Sequence, residues 1–123
     1  MMRRILLVLL ATSSWNCDIV GPHACDAMAR AGLTVSVTNA ATGQPICHAT
    51  VTATEGAYSE RLMAVGCSFS GAYERPGTYV IRATAAGFQP KESGTIRVVM
   101  GGGECPHVDQ VRVTISLSPD GQP

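Results

Sequence analysis

The chain has 123 residues, the length of one domain, with nine basic and nine acidic side chains and a formal net charge of zero. Without Arg3 and Arg4, which precede an apolar stretch, the balance is seven basic against nine acidic residues, a net charge of −2. This balance argues against nucleic acid and an anionic membrane surface as partners, because both need a basic face. Aromatic residues are only 5% of the chain, so the core must rely on aliphatic side chains and gains from covalent crosslinks.

The N-terminus predicts an export signal. Arg3 and Arg4 are followed by the apolar residues 5–11 and the small residues 12–14. This is the order of regions in a secretory signal peptide, and the apolar stretch is shorter than the roughly 20 residues of a membrane-spanning helix. We therefore expect a signal peptide at residues 1–16 and an exported protein, located in the periplasm, the cell envelope or the extracellular space.

Cys17 directly follows this signal, where a bacterial lipoprotein carries its lipidated cysteine. Lipidation of Cys17 is thus expected, and a lipid there would be the protein's only contact with a membrane. Trp15 and Asn16 match the usual lipobox poorly, so conventional cleavage after Ser13 is the alternative. Residues 17–31 form a connector that leads to the domain.

Alternation of apolar and polar residues predicts β-strands from residue 33 onward. It is strict at 33–38, 49–54 and 111–117, and successive strand side chains point to opposite faces, so each stretch has one dry and one wet face. With turn signals between them, the expected strands are 33–38, 46–54, 58–65, 79–85, 95–100 and 111–117, with a seventh, ambiguous segment at 67–73. This predicts an all-β, seven-stranded antiparallel two-sheet β-sandwich at residues 32–118, followed by a tail at 119–123. Six residues on the dry faces should share one core: Val35, Val37, Val51, Ile81, Val113 and Ile115.

Local signals refine these strands. Residues 26–31 could form one helical turn or coil. Glu60 and Arg61 indicate an edge strand, where charge discourages stray pairing. A hairpin is expected around Gly56, and the order of Pro76 and Gly77 suits a type II turn.

Three short motifs occur in order along the predicted strands. Thr42-Gly43-Gln44-Pro45, followed by Ala49 and Val51, resembles the T-G-x-P-x-x-x-A-x-V opening of the carboxypeptidase regulatory-like domain family. Pro76-Gly77-Thr78-Tyr79 is similar to its P-G-x-Y strand, and Ala86-Gly87-Phe88 to its A-x-G-[YF] turn. The resemblance implies a seven-stranded, prealbumin-like sandwich. Such domains are accessory modules of metallocarboxypeptidases and outer-membrane receptors, and they form many small exported bacterial proteins. The family supplies no catalytic residues to carry over.

The remaining cysteines predict disulfide bonds, because an exported protein matures in an oxidising compartment. The hairpin around Gly56 should bring Cys47 close to Cys67. This favours the pairs Cys47–Cys67 and Cys25–Cys105, although the sequence leaves the other two connectivities open.

No motif indicates catalysis, since the segment around Ser68 is not a nucleophile elbow. The expected function is a non-catalytic exported binding or structural module without cofactor or metal, contacting an envelope protein, a peptide or a glycan. His23, His48 and His107 lie close to cysteines, so a small Cys/His metalloprotein is one alternative, and a prealbumin-like hydrolase is another. Because rigid scaffolds tend to carry function on loops, the candidate partner-binding residues are Tyr73, Glu74, Arg75, Lys91 and Glu92. The alternative is that these five are ordinary solvated residues.

Overall fold

The computed structural model describes Cys25 and residues 27–121. The predicted signal peptide, Cys17 and the end of the tail lie outside these residues. The described chain is all-β and contains no helix, so residues 27–31 are coil. The eight strands are β1 (Leu33–Asn39), β2 (Thr50–Glu55), β3 (Tyr58–Arg61), β4 (Met63–Val65), β5 (Ser68–Gly71), β6 (Gly77–Thr84), β7 (Lys91–Val98) and β8 (Val111–Leu117).

The strands form two four-stranded sheets. The first has the order β4-β5-β1-β8 and the second the order β3-β2-β6-β7. The prediction of a purely antiparallel sandwich is wrong at one pair, because β1 and β8 run parallel from Leu33 beside Val111 to Asn39 beside Leu117. The chain passes through both sheets before β8 returns beside β1 in the same direction. A parallel pair needs such a long crossover, whereas an antiparallel pair can be joined by a tight turn.

The count of eight strands arises because the predicted strand at 58–65 is divided at Leu62. β3 belongs to the second sheet and β4 to the first. The Leu62 side chain is 3% exposed, and its N–H donates to the carbonyl oxygen of Val51 at 2.8 Å. Burial of this side chain therefore coincides with the crossing from one sheet to the other.

Five of the six residues predicted to form the core are buried, and one is not. Val35, Val37, Val51 and Ile81 are fully buried and Ile115 nearly so. Val113 was predicted to be buried but is only partly buried. It lies on β8, an edge strand of the first sheet, where a neighbouring strand covers only one flank.

The predicted type II turn at Pro76-Gly77 is wrong. Gly77 begins β6, and the turn lies earlier, where the N–H of Arg75 donates to the carbonyl oxygen of Ala72 at 3.2 Å. Ala72 and Glu74 adopt positive φ angles of 52° and 48°. Both left-handed residues thus lie in this turn, and the side-chain contacts of Glu74 explain why a non-glycine residue occupies position 74.

Two disulfide bonds join the pairs that the sequence favoured, Cys25–Cys105 and Cys47–Cys67. We call the end of the sandwich where β1, β6 and β8 begin the upper end, and the opposite one the lower end. Cys105 lies in the upper loop between β7 and β8, whereas Cys47 lies three residues before the start of β2 at the lower end. Each end of the sandwich therefore has one covalent crosslink.

Candidate interaction edge

Glu74 joins three segments at the upper end. Its carboxylate accepts from the Arg30 N–H at 2.9 Å, from Nδ1 of His107 at 2.6 Å and from the Val108 N–H at 3.3 Å. An ionised carboxylate only accepts, so Nδ1 of His107 is the donor in this hydrogen bond. These donors, His107 foremost, hold the pKa of Glu74 below its ordinary value of 4.5. Glu74 thus fastens the connector and the loop before β8.

Arg75 is also committed to contacts within the sandwich. Its guanidinium carbon lies 3.5 Å from the centroid of the Tyr58 ring. Nη1 donates to Oε1 of Glu55 at 3.0 Å and to the Tyr79 hydroxyl at 2.8 Å. Glu55 also accepts from the Thr78 N–H, and these two donors, Thr78 first, lower the pKa of Glu55. Both hydrogens of Nη1 are therefore used within the sandwich, and the Arg75 side chain is only about one-third exposed.

The five predicted loop residues do not form one surface. Tyr73 is exposed at the upper end, beside the committed side chains of Glu74 and Arg75. Lys91 begins β7 at the lower end, opposite Ala83, whereas Gly77 pairs with Val98 at the upper end. Six residues of strand separate Gly77 from Ala83, which corresponds to about 20 Å.

The edge strand β4 presents apolar side chains to solvent. Met63 is 67% and Val65 is 58% exposed. The inner side of β4 pairs with β5, and the outer side has no main-chain partner among the residues that the structure describes. Such an edge is a template for pairing with another extended chain.

The other three edges carry features that discourage pairing. β3, which carries Glu60 and Arg61, is an edge strand of the second sheet, and this confirms the predicted edge position. β7 has charges at Lys91 and Glu92 and an irregularity beside Ile81, whose N–H donates to Oγ of Ser93 at 2.9 Å. β8 carries the exposed Arg112. Charges and bulges blunt edges. β4 has only three residues but carries neither feature, so its side chains discourage pairing least among the four edges.

A depression lies beside β4 at the lower half of the sandwich. Its walls include Arg61 together with Cys47, His48, Leu62, Met63 and Phe69, and no carboxylate is among the described residues that line it. It places a guanidinium near the apolar side chains of Leu62, Met63 and Phe69. The sequence signal for this surface is the apolar run 62–65, which follows the charged residues Glu60 and Arg61. From the sequence alone, this run continues the strand predicted to begin at residue 58.

The described cysteines are oxidised in pairs, so they provide no thiolate for the Cys/His site considered above. Within Cys25 and residues 27–121, no group of three histidine, cysteine or acidic side chains is placed to hold a metal ion. In the same part of the chain no helix is long and apolar enough to cross a membrane.

No protein-family model matches the chain, and no curated protein is significantly similar to it in sequence. The resemblance to carboxypeptidase regulatory-like domains therefore depends on the motif residues themselves.

Proposed function

We propose that the chain is an exported, non-catalytic binding module of the bacterial cell envelope, and that an extended segment of a partner protein adds to β4 as a further strand. The observation that carries this proposal is the uncharged, apolar, outwardly unpaired edge at Met63 and Val65. Strand addition is an established way for a sheet to bind a peptide, in which main-chain hydrogen bonds give affinity and alternate side chains give specificity.

The partner segment should be apolar at alternate positions and acidic at one end. Met63 and Val65 pair with Ser70 and Ser68, so both side chains point to the outer face of the first sheet. A partner strand would place its own apolar side chains beside them. The exposed Arg61 precedes β4 and favours a carboxylate there.

Two disulfide bonds indicate an oxidising, exported environment. Within that environment we propose lipid attachment at Cys17. Cys25 is bonded to Cys105 at the upper end of the sandwich. The connector would therefore tether that end to the membrane. A tether at the upper end leaves the side edge at β4 accessible.

We assign the chain to the carboxypeptidase regulatory-like family with a prealbumin-like sandwich. Two of the three motifs lie at turns that need glycine, which supports the assignment. Gly43 has a φ angle of 76° and Gly87 one of 86°, and the turn at Gly87 closes with the Phe88 N–H donating to the Ala85 carbonyl at 3.1 Å. A left-handed backbone favours glycine at both positions.

Photo-crosslinking in the native envelope tests the binding edge. A photoreactive residue replaces Val65, and a matched control replaces Thr114, which is exposed on β8 of the same sheet. We expect an adduct only from position 65, on an extended partner segment identified by mass spectrometry, and its loss when Met63→Lys is added. Adducts of equal yield from both positions, or none from position 65, would contradict the proposal.

A further inference from the structure

The outer face of the second sheet is rich in arginine and threonine. Val51 and Ala53 of β2 point into the core, so Thr50, Thr52 and Thr54 point outward. The cross-strand partners of an outward residue point the same way. By this register Arg61 on β3, Arg82 on β6 and Arg97 on β7 share the outer face, and all three are exposed.

The arginines are spaced across the face with hydroxyl groups between them. Thr52 pairs with Arg61 on one side and with Arg82 on the other, so the two arginine backbones are two strand spacings, about 10 Å, apart. Arg97 pairs with Thr78, which lies four residues, about 13 Å, along β6 from Arg82.

Carboxylates neutralise little of this charge. Glu92 is the acidic residue of the face, and its Oε1 lies 3.5 Å from Nη1 of Arg82 with both side chains more than half exposed. Exposed ion pairs of this kind contribute little to the free energy of folding, so Glu92 does not hold Arg82 firmly. Glu55 and Glu60 instead accept from main-chain N–H groups of Thr78 and Ala72. Three arginines against one glutamate give this face a charge of +2 on a chain whose total is zero.

We propose that this face binds an acidic polysaccharide, a polymer of uronic acid. Guanidinium groups bind carboxylates through paired hydrogen bonds, and threonine hydroxyls can donate to and accept from sugar hydroxyls. This face belongs to the second sheet and meets the surface beside β4 at Arg61, which borders both. Arg82 and Arg97 lie on the second sheet alone, so the proposal does not depend on strand addition at β4.

The same face is poorly suited to nucleic acid. One arginine per 10 Å or so is sparse against a duplex that carries a charge every ~1.7 Å of its axis. Among the described residues of this face none is aromatic, so it offers no ring on which bases could stack.

Binding to polygalacturonate, measured by native affinity electrophoresis with neutral dextran as reference, tests the proposal. The protein is exported before purification so that both disulfides form. We expect retardation by polygalacturonate but not by dextran, weakening as salt rises. The variant Arg61→Gln/Arg82→Gln/Arg97→Gln should bind at least about tenfold more weakly, because it loses three charge-assisted contacts. Arg112→Gln, on the outer face of the first sheet, is the matched control and should bind like the wild type.

Three results would overturn the proposal: no retardation of the wild type at low salt, an equal loss of binding in Arg112→Gln, or tighter binding to a single-stranded oligonucleotide through the same arginines. Thermal unfolding of each variant shows that its fold is intact. If the triple variant is unstable, the single variants Arg82→Gln and Arg97→Gln test the proposal instead. Each should weaken polygalacturonate binding, whereas Arg112→Gln should not.

Discussion

Glu74 connects parts of the chain that lie far apart in sequence. Its carboxylate accepts hydrogen bonds from the connector at Arg30 and from the loop at His107 and Val108. Its own backbone and that of Ala72 are left-handed, a conformation that costs an L-residue about 1–2 kcal/mol. These hydrogen bonds offset that cost. The sequence placed Glu74 and Arg75 on an exposed binding loop because it shows polar residues beside a turn but not the direction of their side chains.

We expect Glu74→Gln to lower the thermal midpoint at pH 7, because the amide retains one acceptor oxygen and no charge. The pKa of Glu74 is below 4.5 in the folded protein, so the carboxylate's contribution is complete above about 4.5 and is lost as the pH falls through the lowered pKa. The difference between wild type and variant should therefore shrink below pH 4.5.

Thermal unfolding followed by circular dichroism between pH 3 and pH 7 makes this measurement. Glu92→Gln is the control, since Glu92 forms only an exposed pair with Arg82, and its midpoint should stay near that of the wild type at every pH. A Glu74→Gln midpoint equal to the wild type at pH 7 would show that Glu74 does not hold the upper end together.

The elements show which parts of the fold a sequence can specify. Strict alternation predicted both ends of the last strand correctly, at 111 and 117. It could do so because the burial of every second residue is visible directly in the order of apolar and polar side chains. The division at Leu62 was missed because no glycine, proline or other turn signal separates β3 from β4, although the two strands belong to different sheets. The parallel pairing of β1 with β8 was also missed, since it depends on the return path of the whole chain rather than on a local pattern.

Leu62→Ala should destabilise the sandwich by about 2–5 kcal/mol, as expected when a buried leucine is truncated. Its side chain is buried where the chain crosses between sheets. Met63→Ala, one residue further and exposed, should change the free energy of unfolding by no more than about 0.5 kcal/mol. Urea denaturation of both variants makes the comparison, and equal losses would mean that Leu62 has no special role at the crossing.

At the scale of the whole molecule, two crosslinks hold a small-residue core together. Their loops differ in length, with a sequence separation of 80 for Cys25–Cys105 and 20 for Cys47–Cys67. Loop-closure entropy predicts that the longer loop contributes roughly 4.5 kcal/mol and the shorter roughly 3.3 kcal/mol. Both pairings could be favoured from the sequence, because a predicted hairpin placed Cys47 beside Cys67 and left the other two cysteines to pair.

Cys25→Ser/Cys105→Ser should therefore lower the free energy of unfolding more than Cys47→Ser/Cys67→Ser does, by about 1 kcal/mol. Urea denaturation of the two double variants measures the difference. The reverse order would mean that contacts at the lower end, rather than the length of the closed loop, determine the contribution of each bond.

The candidate binding edge could not be predicted in the same way. Its chemistry was visible as the apolar residues Met63 and Val65, but its accessibility depends on the crossing at Leu62, which makes β4 the last strand of the first sheet. The predicted loop residues, by contrast, are divided between the two ends of the sandwich. Whether a strand is an accessible edge thus depends on how the strands are arranged in the two sheets, which the local sequence does not show.

Amide hydrogen exchange across β4 tests strand addition most directly. The probe is a synthetic peptide with the sequence of the partner segment that crosslinks to position 65. We predict that it slows exchange of the outward amides of Met63–Val65 at least tenfold, while exchange in the control strand β8 stays unchanged. A peptide that binds with no slowing at β4, or with slowing spread equally over β8, would contradict the assignment of β4 as the binding edge.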